Sequence, residues 1–364
     1  FVAITDHETP LMKLAKERCF RRIFSAPKDV GGRYSALTVF GLLPAALIGI
    51  DVHRLLDQSR IMPKKECASS SPQETSGLVL GATLGELSKI GRDKVTFITS
   101  ETIKSFPTWL EQLIAESTGK DGKGIVPITN EPLTVSNTYG KDRLFVYIYN
   151  KHDKNVESDN LIRELEALGH PTVRINIANN LNLGQEIFFW EIAVASAGAV
   201  LDINPFNQPN VELTKELTIE EMKKAKIGSI EEDDAPLTAE DPAALAKKLE
   251  NWLGQAQTGD YLGIQAYLHP TDEMTEILQK LRLKLLDRLR IATTLGYGPR
   301  FLHSTGQLHK GGSNTGLFVQ LTDEPTEDIP VPETEYTIGA IIKAQALGDY
   351  NALKQLGRRI LRIN

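Results

Sequence analysis

A glutamate at the end of a predicted helix is the first residue of this chain that could do chemistry. The segment 109–120 predicts an amphipathic helix ending at Glu116, followed by a glycine-bearing loop with Lys120 and Lys123. The helix dipole disfavours a carboxylate at a helix C-terminus. The position therefore favours a role for Glu116 other than helix stability, although a solvated side chain is the commoner explanation for one such glutamate.

Two glycines followed by an arginine form the second candidate. Gly31, Gly32 and Arg33 lie between a predicted strand at 22–26 and an apolar helix at 36–49. Glycines in such a turn permit positive φ and a close backbone approach to a ligand. Arg33 would then point into the cleft at the carboxyl edge of the strand, where open α/β sheets bind ligands. The alternative is an ordinary turn with an exposed arginine.

A turn rich in asparagine and glutamine is the third candidate. It separates a long apolar helix at 183–200 from a second helix, and it carries Gln208. Lys215 lies in the first turns of that second helix, where the dipole disfavours a cation. A solvated helix face is the alternative explanation for this lysine.

These residue types suit the movement of a carbonyl between neighbouring carbons of a substrate. A partly shielded carboxylate can take a proton from the carbon beside a carbonyl and return it to the next carbon. A cation can stabilise the charge on the enediolate that forms between the two steps. This chemistry requires no metal ion and no redox cofactor, so we expect neither.

The composition favours a large globular protein. The chain has 364 residues, 41% hydrophobic and 24% charged, a length that suggests two or three domains of about 150 residues each. The net charge of −6 gives no electrostatic case for nucleic acid or an anionic membrane, and no apolar run is long enough to span a bilayer. Two cysteines, Cys19 and Cys67, make no disulfide framework, so we expect a cytoplasmic location.

The elements that must position these residues alternate along the chain. Apolar β-branched runs follow amphipathic stretches in turn, which predicts an α/β fold on mostly parallel sheets. A Gly-, Thr-, Asn- and Pro-rich stretch at 117–139 and an acidic break at Glu231–Pro236 indicate boundaries. We expect domains at 1–138, 139–235 and 236–364, the last a smaller α+β unit.

The three candidate segments resemble blocks of the phosphoglucose isomerase family, although not one of them alone would be specific. Segment 31–35 resembles the family's Gly-Gly-Arg-Tyr-Ser block, and 116–120 resembles its Glu-Ser-x-Gly-Lys block. The run from Gly198 to Lys215 resembles the family signature in every fixed element but one, because Asn210 stands where the family has glycine. A left-handed backbone, which asparagine tolerates, would account for that exchange.

The resemblance implies a fold, an activity and a set of site residues. The fold would be a pair of sugar-isomerase (SIS) domains, each a flavodoxin-like parallel-sheet sandwich, with the first truncated here. The activity would be interconversion of glucose 6-phosphate and fructose 6-phosphate through an enediol, in glycolysis and gluconeogenesis. The implied residues are Glu116 as the base, Arg33 beside the enediolate, Lys215 near the ring oxygen, and Gly32, Gln112 and Gln208 at the substrate.

The resemblance also points to a ring-opening histidine in an unusual place. Bacterial members of the family carry it in a Leu-His-Ser-Met-Gly-Gln run shortly after the catalytic glutamate, whereas the similar run here lies at 302–307. We therefore expect His303 to open the ring, in a functional loop that includes His309, Lys310 and several glycines. A surface or core histidine is the alternative. The matching histidine of dimeric members comes from the partner subunit, so the resemblance allows a homodimer.

The longer run 298–312 resembles the C-terminal region of bifunctional transaldolase/phosphoglucose isomerase proteins, and that similarity extends over essentially the whole chain. The chain begins with a predicted strand at 1–5, so we expect that a Ser/Thr-rich phosphate loop belongs before it. The 364-residue chain alone is then expected to be weakly active or inactive.

Two other functions compete with this one. A non-catalytic SIS module that binds sugar phosphates for regulation would need the cleft but not the base, and the joint presence of Glu116, Lys215 and Arg33 argues against it. An isomerase that also accepts mannose 6-phosphate is the other, because that substrate differs only in stereochemistry at C2.

Overall fold

The computed structural model describes residues 1–61, 76–227, 237, 242–323 and 327–364, without the side chains of 211–214 and 223–227. The acidic break Glu231–Pro236, expected to separate two domains, lies outside the described residues. Within those ranges, none of the helices is both long enough and apolar enough to cross a membrane.

The chain opens with two parallel strands joined by a helix. β1 (Val2–Thr5) pairs in parallel with β2 (Arg22–Ser25), and α1 (Pro10–Glu17) connects them. The Thr9 hydroxyl caps α1 by accepting from the Met12 amide at 3.2 Å. In the described residues that come next, the helices are α2 (Val39–Leu47), α3 (Val52–Ser59) and α4 (Gly77–Lys89).

The middle of the chain forms a four-stranded parallel sheet in the order β4-β3-β5-β6. Its strands are β3 (Lys94–Thr99), β4 (Val126–Ile128), β5 (Arg143–Tyr149) and β6 (Thr172–Asn176). Its helices are α5 (Phe106–Thr118), α6 (Val156–Ala167), α7 (Leu183–Val200) and α8 (Asn210–Ile227). β3 is buried along almost its whole length, as expected for a parallel strand covered on both faces.

The C-terminal part forms a second four-stranded sheet in the order β10-β9-β7-β8. Its strands are β7 (Tyr261–Tyr267), β8 (Ala292–Tyr297), β9 (Gly316–Thr322) and β10 (Arg359–Ile363). Its helices are α9 (Pro242–Leu253), α10 (Asp272–Leu289), α11 (Gly306–Gly311) and α12 (Ile338–Gln355). Every residue of the inner strand β7 is buried.

The hydrophobic core connects the two sheets. One cluster packs α4, α5 and α7 around Trp190 against β3 and β5. Another lies between the sheets and joins Ala115 of α5 and Ile128 of β4 to Tyr261 and Phe318 of the C-terminal sheet. The helix that carries Glu116 therefore packs against both sheets.

The α/β class is confirmed, and the expected α+β character of the last unit is wrong. All pairings of β7 with β8, β7 with β9 and β9 with β10 are parallel. Parallel neighbours need crossover connections, which α10, the segment with α11, and α12 supply between successive strands. The unit at 236–364 is thus a third parallel layer rather than an α+β sandwich.

The middle sheet draws strands from both sides of the boundary expected at 138/139. β3 and β4 precede that position, and β5 and β6 follow it. β4 lies inside the Gly- and Pro-rich stretch and has only three residues, too few for a periodic pattern to reveal. One sheet therefore continues across the limit expected at 138/139. The domain limits 1–138, 139–235 and 236–364 stay a prediction.

A buried charge network fastens the middle sheet to the C-terminal unit. Arg143, fully buried, forms a bidentate pair with Glu131, with Nη2 at 3.3 Å from Oε1. The Thr293 amide donates to the same Glu131 oxygen at 2.9 Å, and fully buried Arg282 donates to the Thr129 carbonyl at 3.0 Å. Burial acts to raise the pKa of Glu131, but Arg143 and Arg282 outweigh it and hold that pKa low.

Candidate active site

Arg33 is the centre of the candidate site. It is 1% exposed and lies in a single 3₁₀ turn after β2. Its guanidinium donates to Ser117 Oγ at 2.8 Å, to Gln208 Oε1 at 3.0 Å and to the Pro205 carbonyl at 2.7 Å. Nη1 also lies 3.2 Å from Glu116 Oε1. One arginine thus joins α5 to the turn between α7 and α8, which are far apart in sequence.

Glu116 is held from two sides. Arg33 contacts one carboxylate oxygen, and the Gln112 amide donates to the other at 3.1 Å from one helical turn earlier. The Glu116 side chain keeps 13% exposure, so part of it remains accessible to solvent. The carboxylate is therefore oriented, partly shielded and accessible.

The loop after α5 supports the same turn. Lys120 is 2% exposed and donates to the Asn204 carbonyl, and Lys123 donates to the Leu201 carbonyl at 2.8 Å. Burial lowers the pKa of Lys120 to about 8, and the charge of Arg33 acts in the same direction. The turn at 201–209 is consequently fixed by three cations that donate to its backbone.

Two expectations about backbone geometry are corrected here. α5 runs on to Thr118, so Glu116 lies within the last helical turn rather than at the final residue. Gly31 has φ of −65°, and Gly32 is also outside the positive-φ region, so neither needs glycine for conformation. A Cβ built on Gly32 would meet nothing within 4 Å, which leaves open space beside this backbone.

His303 lies on an exposed position at the end of a 3₁₀ turn, Arg300–His303, after β8. The next residue, Ser304, is buried and donates to Glu111 Oε1 at 3.2 Å. Glu111 is on α5, one residue before Gln112, and burial raises the pKa of its carboxyl. The histidine is therefore tied through its neighbour to the helix that carries Glu116.

The expectation that 303–312 is a functional loop is wrong for most of that segment. Residues 306–311 form α11 and are buried. His309 packs among aromatic rings, with Phe318 at 4.7 Å between centroids, and burial holds its pKa well below the usual value. Lys310 and Asp349 form a buried ion pair at 2.5 Å. These residues belong to the core of the C-terminal unit, so His303 is the exposed histidine of the run.

Lys215 and the signature asparagine both lie on α8. Lys215 is exposed, about one and a half turns after the start of the helix. Asn210 is its first residue and is not among the positive-φ residues, so the expected left-handed backbone is wrong. Its amide instead donates to Gln307 Oε1 at 2.9 Å, and its Oδ1 accepts from Gln307 Nε2 at 2.7 Å.

The described contacts bring four of the seven predicted site residues together, with Gly32 adjacent in sequence. The four are Arg33, Gln112, Glu116 and Gln208. Sequence reasoning missed the roles of Ser117 and Glu111. Glu111 stands on the apolar face of an amphipathic helix beside Leu110, and a carboxylate in that setting is the pattern that could have revealed it.

Two other carboxyl groups, on α7, have no hydrogen bond on one buried oxygen within the described part of the chain. They are Glu186 and Glu191. Burial raises the pKa of Glu186 to about 7 and that of Glu191 to about 8. Folding favours the neutral form of a carboxyl group whose pKa is raised. Its contribution to the free energy of unfolding is present below the unfolded-state pKa near 4.5, and it is lost as the pH rises through 7.

We expect Glu186→Gln to make the protein more stable at pH 8 by roughly 1 to 3 kcal/mol, because it removes a buried charge. The gain should be absent at pH 4.5. Urea unfolding at both pH values measures it, with Glu164→Gln on the exposed face of α6 as the control. Equal effects at the two pH values would contradict the assigned cause.

A cavity of about 880 Å³ lies elsewhere, at the carboxyl ends of β7 and β9. Tyr267, His269, Lys343 and Arg362 are among its lining residues, and it includes none of the seven predicted site residues. Size alone does not identify a catalytic centre. The cluster around Arg33 has the carboxylate, guanidinium and amide groups that the chemistry needs, so we take it as the candidate site. Among the described residues, no group of three or more His, Cys, Asp or Glu could hold a metal ion.

No protein-family model matches the chain. It is similar to glucose-6-phosphate isomerases, with 31% identity over 251 residues to the enzyme of Staphylococcus saprophyticus and 30% over 252 residues to that of Parabacteroides distasonis. Each match covers 59% of this chain and 56% of the relative. The chain therefore spans about half the length of the curated relatives it matches.

Among solved structures, a glucose-6-phosphate isomerase from Chlamydia trachomatis matches with a TM-score of 0.48 and 18% identity, over 70% of this chain and 56% of that one. The C-terminal domain of glucosamine-fructose-6-phosphate aminotransferase from Francisella tularensis matches with a TM-score of 0.24 and 11% identity, over 93% of this chain.

Proposed function

We propose that this chain carries the isomerase site of an enzyme that interconverts glucose 6-phosphate and fructose 6-phosphate. One observation supports it most: Arg33 pairs with Glu116 of α5 and donates to Gln208, so three separate segments meet at one carboxylate, which Gln112 of α5 also contacts. Those segments are the ones that resemble the blocks of phosphoglucose isomerases. Sequence identity of about 30% to curated glucose-6-phosphate isomerases supports the proposed isomerase reaction.

In the proposed mechanism, Glu116 moves the proton between C1 and C2 of the open-chain sugar. Gln112 and Arg33 each contact one carboxylate oxygen and hold the group in one orientation. The Arg33 charge, 3.2 Å from Oε1, would stabilise the enediolate that forms beside the carboxylate. Gln208 and the open backbone at Gly32 border the space for the sugar.

Ring opening is assigned to His303 and Lys215, which lie on exposed positions of neighbouring segments. An imidazole can donate and accept a proton near neutral pH, and the lysine would polarise the ring oxygen. The two segments meet at the contact between Gln307 and Asn210. His303 acts within its own subunit or, in a homodimer, in the partner's site.

We expect His303→Ala to lower kcat with cyclic fructose 6-phosphate by roughly two orders of magnitude, because general acid–base catalysis at ring opening is lost. The thermal midpoint should stay the same, since the side chain is exposed. His152→Ala, at another exposed position, is the matched control. Near-normal turnover of the His303 variant would remove this residue from the mechanism.

A regulatory SIS module without catalysis is the second candidate, because the fold alone does not require a base. The two functions separate in one assay with the full-length protein. Fructose 6-phosphate is supplied, and glucose 6-phosphate is followed through a coupled glucose-6-phosphate dehydrogenase. Sustained turnover supports the isomerase, whereas saturable binding without turnover supports the module. Mannose 6-phosphate in the same assay tests the broader substrate range.

The cellular setting is part of the proposal. We infer a cytoplasmic enzyme of glycolysis and gluconeogenesis that needs no cofactor and binds neither nucleic acid nor membrane. The resemblance of 298–312 leads us to propose that a transaldolase is joined to the isomerase in the full-length protein. Mass measurement of the natural protein and a transaldolase assay test this part independently.

A further inference from the structure

Gln307 of α11 forms hydrogen bonds with the two helices that carry proposed catalytic residues. Its side chain is fully buried. Nε2 donates to the Gly119 carbonyl at 2.9 Å, three residues after Glu116. The same nitrogen donates to Asn210 Oδ1 at 2.7 Å, and Oε1 accepts from the Asn210 amide at 2.9 Å. One amide group therefore joins the end of α5, the start of α8 and the C-terminal unit.

The backbone around the Gln307 side-chain amide is packed so closely that two nearby glycines have no space for a Cβ. A Cβ on Gly311 would lie 2.4 Å from Asn210 Oδ1, 2.5 Å from the Gly119 carbonyl and 2.7 Å from Gln307 Nε2. A Cβ on Gly119 would lie 2.3 Å from the Leu308 Cα. The Gly122 amide also donates to the Gly311 carbonyl at 2.9 Å. The backbone of α11 thus packs directly against the backbone at the end of α5.

The asparagine at 210 completes the contact. A glycine there would keep the backbone amide that bonds to Oε1, but it would lack the Oδ1 that accepts from Nε2. Asn210, the residue that departs from the family signature, is therefore hydrogen-bonded to Gln307 of the C-terminal unit.

We propose that Gln307 is a positioning residue: through Gly119 and Asn210 it sets the distance between the helix of Glu116 and the helix of Lys215. This inference rests on the proposed isomerase function. It makes the C-terminal unit part of the catalytic apparatus rather than an appendage. A small displacement of reacting groups costs far more in rate than in binding, so the effect should fall mainly on kcat.

The test compares four variants of the full-length protein in the coupled isomerase assay: Gln307→Ala, Gln307→Glu, Asn210→Gly and the double variant Gln307→Ala/Asn210→Gly. We expect Gln307→Ala to lower kcat roughly tenfold to hundredfold with KM changed by less than about threefold. Gln307→Glu keeps the acceptor but loses the donor, so it should also lose kcat. In the double variant the effect of Gln307→Ala should be clearly smaller than alone, because the contact is already weakened.

Gln320→Ala is the matched control. Gln320 is also fully buried in the C-terminal unit, but it donates to the Ala346 carbonyl within that unit. It should lower the thermal midpoint without lowering kcat. The positioning role would be overturned if the Gln307 variants, like Gln320→Ala, lost thermal stability without losing kcat. It would also be overturned if Gln307→Ala and Asn210→Gly acted additively on kcat. Absence of turnover in the wild-type protein would refute the proposed function and the positioning role with it. The thermal midpoints of the same variants would then still show whether Gln307 and Asn210 are energetically coupled.

Discussion

Glu116→Gln should lower kcat for fructose 6-phosphate by two orders of magnitude or more, with KM little changed. Glutamine keeps the shape of the side chain and its contact with Arg33, but it cannot accept the proton that moves between C1 and C2. The loss should appear at every pH in the working range, because the proton acceptor has been removed. The measurement is steady-state kinetics of the full-length protein in the coupled assay.

Glu86→Gln is the control for that substitution. Glu86 lies on α4, and its exposed side chain pairs with Lys89 at 3.1 Å. It should leave kcat, KM and the thermal midpoint unchanged, since an exposed pair contributes little. A Glu116→Gln variant with near-normal kcat would show that the proton is carried by another group.

Glu131→Gln should destabilise the protein by roughly 3 to 5 kcal/mol, because it leaves two buried guanidinium groups without their carboxylate. Arg143 and Arg282 are both fully buried, and Glu131 is the acid that contacts Arg143 directly. The pKa of Glu131 is held low by these arginines, so its contribution persists above the ordinary pKa near 4.5 and fades only in stronger acid. Urea unfolding at pH 7 measures the loss.

Glu166→Gln is the matched control for the buried network. Glu166 pairs with Arg174 at 2.9 Å, and both side chains are more than a third exposed. Its loss should cost less than about 1 kcal/mol. If the two substitutions lowered the free energy of unfolding equally, the network would not be what holds the C-terminal unit to the middle sheet.

The alternation of apolar and amphipathic runs was enough to predict most of the fold. The helix expected at 183–200 and the strand expected at 22–26 occur where the periodicity indicated them. Strand direction was not predictable in the same way. The order of elements at 236–364 is compatible with α+β or α/β, and only the crossovers decide it. β4 was missed because three residues carry no period.

The site was predictable as residue types in sequence blocks, but its contacts were not. Arg33 was singled out with an exposed arginine in an ordinary turn as the alternative, and it is buried and donates to two segments. His309 and Lys310 were interpreted as members of a functional loop, whereas they are core residues. Burial depends on which elements pack together, and that information lies in long-range contacts rather than in local spacing. The pairing of Asn210 with Gln307 spans 97 residues and has no local pattern at all.

The central claim is that a carboxylate of this chain carries a proton between C1 and C2 of a sugar phosphate. Proton NMR of fructose 6-phosphate incubated in D₂O with the full-length protein tests it directly. With the wild-type protein we expect deuterium at C1 of fructose 6-phosphate and at C2 of the glucose 6-phosphate formed, and with Glu116→Gln neither. Undeuterated substrate after prolonged incubation with the wild-type protein, or equal exchange by both proteins, would contradict the account.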